Sequence, residues 1–393
     1  MKAWLWVLAG ILLVSGCEAG SSADAVGSGA TATMSSNPVQ TGPEGKAAAV
    51  PAPKPDAKTQ WQYIHMIDAS FGWGVTEQGI VRTTDGGASW QQVLAVPIQN
   101  VDNRFEPVYF LDDQHAWVAD NRNNVLFHTS DGGKSWKRTD SFGSTKFLYF
   151  TDPRRGWNLN FVDAATGGAE LVELAGTADG GEHWEKLAES SAQGKPTFFP
   201  SSGIKLGLTF ASETAGWATG ALTNVWGRAW LYRTQDGGRT WTAYDLPLKD
   251  DMKSSLIETR SPMFFGRERA ILPVFTNRTD AEQGRFHLRL YRTTDGGVTW
   301  KSSSPLALND THPVYAYDFI SIDRGFAAAD GNLYKTEDGG LNWTPISLPG
   351  TLADSLHSIK QLDFADDKNG WFVTESSQLY RTTDGGQTWT EQK

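Results

Sequence analysis

Seven aspartates carry the most regular chemistry in this chain. Asp85, Asp131, Asp179, Asp236, Asp295, Asp338 and Asp384 are each followed by two glycines and, three residues beyond them, by a tryptophan, as in "RTTDGGASW" at 82–90. A carboxylate so placed could bind a cation, exchange a proton, or brace a turn. A calcium loop needs further oxygen ligands at alternating positions, and Asp-Gly-Gly supplies none. Bracing needs only what is present, because aspartate accepts hydrogen bonds from the N–H groups ahead of it and glycine takes positive φ. The tryptophan then begins the next strand and lays its ring over the turn, closing the outer edge of the unit. The seven are read as structural.

The spacing of the aspartates, 43 to 59 residues, defines the elements that must hold them. A period near 50 belongs to propeller blades or to helical arrays. Strand chemistry decides, since each unit carries four short β-branched and aromatic segments, as in "PVYFL", "HAWVAD", "VLFHTS" and "WKRTD" of unit 2, separated by turn residues. The expected fold is all-β, a seven-bladed β-propeller with four-stranded antiparallel blades. A second signature precedes each aspartate: an aromatic on the first strand, a short acidic turn, then Gly-Trp or its equivalent, as with Phe150 before "TDPRRGW", Phe110 before "DDQHAW" and, in unit 6, Phe326 in place of the tryptophan. Unit 1 substitutes Met66, and unit 5 reads "FFGRERAIL" with no tryptophan.

These residues match S/T-x-D-G-G-x-x-W, and the chain resembles the Asp-box, or bacterial neuraminidase, repeat proteins. The motif occurs in sialidases, sortilin-type receptors, xyloglucan-degrading glycosidases and photosystem II assembly and stability factors. Over residues 61–393 the pattern is most similar to the last group, which implies a protein-binding scaffold that holds an assembly intermediate of a membrane complex. The alternative is a carbohydrate-binding or glycan-cleaving protein. Sialidase chemistry would need three arginines on the substrate carboxylate, a tyrosine nucleophile with a glutamate partner, and an acidic proton donor. The Arg-Ile-Pro segment of sialidases is missing; the counterpart reads "WQYIHMIDASFGWGV". The pairs Tyr232-Arg233, Tyr291-Arg292 and Tyr380-Arg381 recur at one repeat position and read as scaffold. No phosphate loop, Cys/His cluster or nucleophile elbow is present. No catalysis, cofactor or resident metal is expected. One channel constellation stands apart: His65, Asp318 and Asp363 occupy the position where units 2, 3 and 5 have Tyr109, Tyr149 and Phe264. It could hold a metal, although solvated channel polars are the default.

A net charge of −10 repels phosphate and argues against nucleic acid as a partner. The chain starts "MKAWLWVLAGILLVSGC", whose apolar run from Ala3 to Val14 is shorter than the roughly 20 residues a bilayer span needs. Val14-Ser15-Gly16-Cys17 resembles the lipobox of bacterial lipoproteins, which implies cleavage before Cys17, the only cysteine, and its lipidation. Residues 18–58 are rich in Gly, Ser, Ala and Pro and cannot bury enough to order themselves. They form a tether with a reach of about 35 Å. The expected organisation is a signal peptide and lipobox at 1–17, a disordered tether at 18–58 and the propeller at 59–393, lipid-anchored and facing outside the cytoplasm. The ring should close by packing of blade 1 on blade 7, with residues 45–60 available as an edge strand.

Successive strands alternate in direction, so the aspartate turns and the first-to-second-strand turns share one face. Length variation falls on the other face, in the second-to-third-strand loops of blades 3, 4 and 5 and the linkers around 190–205 and 248–260. Varied loops on a rigid scaffold are where binding resides. Of 17 tryptophans two lie in the signal peptide, and of the rest only Trp226, in "TNVWGR", has no repeat position or strand duty. Trp226 with Arg228, and with Asn224, is the candidate anchor for a partner; the alternative is that Trp226 folds down onto blade 4. Asn277, Arg278 and Arg285 are weaker companions.

Overall fold

Alternation of apolar and polar residues between turn signals places nearly every described element in β-structure, with a single 3-10 turn at Asp250–Met252. The computed structural model describes residues 47–48, 59–98, 101, 106–165, 168–191, 199–278, 286–307, 316–329, 332–346 and 359–392. Apart from Ala47 and Ala48, the signal peptide, Cys17 and the tether lie outside them, as does Arg285. The propeller belongs to one compact unit, Lys46–Lys393.

Blade 1 shows the plan: Trp61–Met66, Gly72–Thr76, Gly79–Thr83 and Gln91–Leu94 form a sheet in sequence order, every pair antiparallel. Blades 2, 3, 6 and 7 repeat it over 108–140, 144–191, 317–346 and 359–392. Blade 4 comprises Ile204–Phe210, Gly216–Trp226, Trp230–Thr234 and Thr242–Ala243; blade 5 comprises Met263–Phe264, Ala270–Arg278, Phe286–Thr293 and Lys301–Ser302. These two blades merge into one sheet through Ser255–Thr259, which pairs with the second strand of both. The described residues thus make the seven four-stranded blades of an all-β propeller.

Neighbouring blades are joined by a recurring aromatic stack. Trp117, on the second strand of blade 2, lies 3.7 Å from Phe150, on the first strand of blade 3, with planes 9° apart. Its other face carries His128 at 4.8 Å. Trp157 meets Phe210 at 3.6 Å, and Phe326 meets Phe364 at 3.6 Å. The stack explains the Gly before Trp157 and Trp217. A Cβ on Gly156 would approach the Phe150 ring to 2.3 Å and one on Gly216 the Phe210 ring to 2.5 Å, so only a bare backbone lets the ring lie flat. Two of these indoles also send their N–H into the next blade: Trp117 Nε1 donates to the Gly180 carbonyl, and Trp157 Nε1 to that of Gly237, both at 2.8 Å.

The tryptophans of the aspartate turns sit deeper than expected. Trp184 and Trp241 stand edge-on to Phe150 and Phe210 at 6.2 Å, inside the wedge between blades, because the stacked pair leaves an aromatic edge there to be filled. Trp241 and Trp389 still cover their own turns, donating to the Gly238 and Gly386 carbonyls.

Blade 1 packs on blade 7, burying Trp61, Ile64 and Met66 against Trp371 and Val373. Gln361 clamps the joint, accepting from Ile64 N–H at 2.8 Å and donating back to the Ile64 carbonyl at 2.5 Å. An edge strand does come from residues 45–60, but Ala47–Ala48 pairs with Ser135 and Trp136 of blade 2 and takes no part in closing the ring.

The blade 4–5 joint departs from the plan. Trp217 meets Tyr244 and Trp300 edge-on at 5.2 and 5.7 Å, and among the described residues no phenyl stacks flat on it. The bridging strand Ser255–Thr259 supplies a backbone connection instead. Replacing Trp157 by alanine should destabilise the propeller by about 3–5 kcal/mol, since it empties a buried site and frees a carbonyl; guanidinium unfolding measures the shift.

Candidate functional site

The aspartate turns are fully engaged with themselves. Asp85 accepts from the Thr83 hydroxyl at 2.8 Å, the Ser89 N–H at 2.8 Å and the Ser89 hydroxyl at 2.6 Å, while Gly87 N–H donates to the Thr83 hydroxyl. Asp131, Asp236, Asp295 and Asp384 repeat this with Ser or Thr four residues on; Asp179 uses His183 and Asp338 uses Asn342. The first glycine donates to a carbonyl of the neighbouring first-to-second-strand turn, as Gly86 does to Ser70 at 2.8 Å. The second approaches the preceding blade: a Cβ on Gly297 would lie 2.5 Å from Trp217. Thr299's hydroxyl and N–H hold Asp295 down at about 2. For Asp179, burial pushes upward but the His183 bonds outweigh it, again giving about 2.

In the channel, Asp318, Asp363 and His65 act as fasteners between first strands. Phe364 N–H donates to Asp318 Oδ2 at 2.6 Å and Met66 N–H to Asp363 Oδ1 at 3.2 Å, each linking one blade to the next. Tyr149 performs the same service between blades 3 and 4 by accepting from Phe210 N–H. His65 Nδ1 lies 3.5 Å from Asp363. Among the described residues, no group of three His, Cys, Asp or Glu is placed to hold a metal.

The trio is electrically tense. Burial, followed by the charge of Asp363, raises Asp318 to about 7. Burial lowers His65, but the Asp363 bond and the surrounding carboxylates reverse that and leave it raised. A carboxyl whose folded pKa exceeds its unfolded one loses stabilisation as pH climbs from about 4 through 7, and a raised histidine loses it above its folded pKa.

On the opposite face the irregular loops converge. Gly216 and Trp226 are the two ends of one strand, and Gly216 pairs with Thr234 beside the Asp236 turn, so Trp226 faces away from the aspartate turns. Trp226 is 48% exposed. Asn224, Val225 and Arg228 are exposed with it. The loop is nonetheless held: Trp226 pairs with Leu256, and Gly227 N–H donates to the Ser255 carbonyl at 2.8 Å. Asn224 and Gly227 take φ of 57° and 63°, and a Cβ on Gly227 would lie 2.3 Å from the Lys253 carbonyl. Arg278 pairs with Ser255 and Asn277 with Leu256, which brings their backbones to the same strand; the Arg278 side chain and all of Arg285 lie outside the described residues.

Beneath this face is a polar knot that sequence reasoning missed. Lys146 donates to both Glu170 oxygens at 2.7 Å. Lys205 donates to the carbonyls of Glu170, Gly203 and Ser201 at 2.7, 3.0 and 3.1 Å, and burial pulls it down to about 7. The knot ties the blade 3 hairpin to the linker entering blade 4. Its signal was a lone lysine inside each of "STKFLYF" and "IKLGLTF". Beside the anchor loop, Arg228, Tyr232, Tyr244, Asp245 and Leu248 line a cleft of about 280 Å³.

Asp318→Asn should leave the Phe364 N–H an acceptor while removing the buried charge. The variant should be more stable than the parent at pH 8, by on the order of 1 kcal/mol, and no more stable at pH 5; urea midpoints at both pH values test this.

No helix among the described residues is long and apolar enough to cross a membrane. No curated protein matches the sequence. Among solved structures the chain is similar to YCF48 bound to a D1 peptide, at 17% identity, 85% of this chain, 96% of that one and a TM-score of 0.53. It is also similar to YCF48 from Cyanidioschyzon merolae, at 16% identity, 86% and 96% coverage and a TM-score of 0.48. An oligogalacturonate lyase from Vibrio parahaemolyticus shares the fold at 6% identity, 84% and 92% coverage and a TM-score of 0.56. The family described as Photosynthesis system II assembly factor YCF48 matches residues 55–144 and 284–393. With half of its residues inside that match and the boxed blades in place, the chain belongs to the YCF48 assembly factor family.

Proposed function

We propose that this chain is a membrane-tethered, extracytoplasmic propeller that acts as a scaffold or assembly factor, docking a protein partner on the loop face of blades 3–5. The observation that carries the reading is Trp226, an exposed indole beside the exposed Arg228 on a loop held by strand pairing. A held aromatic and an arginine are the side chains that most often anchor an interface, and preorganisation lowers the entropy of docking. Family membership supports a protein as the ligand, since a solved YCF48 carries a D1 peptide. The lipobox ending in Cys17 supports the tether.

Replacing Trp226 and Arg228 together by alanine should reduce partner recovery in cross-linking pulldowns by about tenfold or more with the melting temperature unchanged. Undiminished recovery would refute the anchor. Saturable sugar binding on a glycan array, or product release, would favour the glycan reading instead. Cys17→Ala should move the protein from the membrane to the soluble fraction.

A further inference from the structure

Blade 4 has an open outer edge beside its cleft. Thr242–Ala243, its last strand, pairs as Tyr232↔Ala243 and Arg233↔Thr242, and Tyr244 N–H donates to the Leu231 carbonyl at 2.9 Å. In an antiparallel ladder this pattern makes Tyr232 and Ala243 a non-hydrogen-bonded pair. The N–H and C=O of Ala243 therefore point away from the sheet, and among the described residues neither has a backbone partner. Ala243 is exposed, and it also lines the 280 Å³ cleft with Leu222, Leu248, Tyr232, Arg228 and Asp245. The Arg228 guanidinium and the Tyr232 hydroxyl make no hydrogen bond among the described residues, so both remain available as donors.

The ring itself shows what such an edge accepts. On blade 3, Phe199–Pro200 adds to the last strand through Ser190↔Phe199, and the Phe199 ring is wholly buried, 4.5 Å from Trp241. That pairing is parallel; on blade 2, Ala47–Ala48 adds to the last strand in the antiparallel sense. Outer edges of this propeller take an extra extended segment, and on blade 3 an apolar side chain of that segment drops into the gap behind. Blade 4 presents the edge and the gap, and among the described residues no segment occupies them.

We infer that blade 4 binds an extended peptide of a partner protein as an added edge strand on Ala243, seating one apolar side chain in the cleft and a neighbouring carboxylate on Arg228. Main-chain pairing supplies the attachment and the cleft the selectivity. Arginine suits the carboxylate because its fork can donate two parallel bonds, and Asp245 accepts from the peptide's donors on the other side. The inference deepens the proposed scaffold function and rests on it for the identity of the partner.

Random phage-displayed peptides of about 12 residues, selected against the full chain, test it. Enriched peptides should carry Asp or Glu within a residue or two of Leu or Phe. Their binding should weaken about tenfold or more on Arg228→Glu, on Ala243→Pro, which removes the outward N–H, and on Ala229→Phe, which fills the cleft from its wall. Variants are compared only after their melts match the parent; Ala229→Phe serves if Ala243→Pro does not fold. Failure to enrich any peptide, or enriched peptides indifferent to these changes, overturns the inference. If recovery of the partner still depends on Trp226 and Arg228 while peptides are indifferent, the scaffold reading stands and only the edge-strand mode falls.

Discussion

Blades 3 and 4 of this ring each borrow an indole from the blade before them, and blade 7 borrows a phenyl. Trp117 and Trp157 stack on a phenylalanine of the next blade and send their N–H into that blade's aspartate turn. One side chain thus supplies dispersion, through a face-to-face contact below 4 Å, and direction, through a bond that only one rotation of the blade permits. The Gly-Trp signature and the aspartate turn are two ends of this joint. The glycine lets the ring lie flat, and the aspartate fixes the turn whose carbonyl receives the N–H. The seven carboxylates, which alone would invite a search for metal or catalysis, brace turns, and two of those turns, at Asp179 and Asp236, receive such an N–H.

The irregular sector shows what happens when the joint is relaxed. Blade 5 lacks the usual turn and its tryptophan, and the stack on Trp217 is lost. Backbone pairing through Ser255–Thr259 replaces it, raising strands above the ring where loops would otherwise lie. Lys146, Glu170 and Lys205 firm the neighbouring hairpin. The sector that carries Trp226 is therefore held by ladders and buried ions, which leaves its outward side chains free of structural duty. Residues 145–283, between the two family-matched stretches, contain this sector.

Local chemistry was legible in the sequence; contacts between distant residues were not. The turn at Asp85 could be read because its partners lie within four residues, and the aromatic before each Gly-Trp because its spacing repeats. Closure of blade 1 on blade 7 followed from the strand count. The placement of the turn tryptophans in the wedge, the bridging strand, and the addition of Ala47–Ala48 to blade 2 depend on which blade lies beside which edge, and no periodicity encodes that. The loop at Trp226 was found by elimination, since it had no repeat role, yet its exposure rests on a bulge of residues 222–225 between Ala221, paired with Glu258, and Trp226, paired with Leu256, that the pattern could not reveal.

The seam between blades 1 and 7 has no strand ladder across it; one backbone bond, from Trp61 N–H to the Ser377 carbonyl at 3.0 Å, is joined there by side chains. Gln361 and Asp363 reach across to two backbone amides, and an apolar contact does the rest. Parting it breaks no ladder, whereas parting a blade would tear a whole sheet. His65 and Asp363 face each other 3.5 Å apart on this seam, so an imidazole and a buried carboxylate meet where no strand crosses.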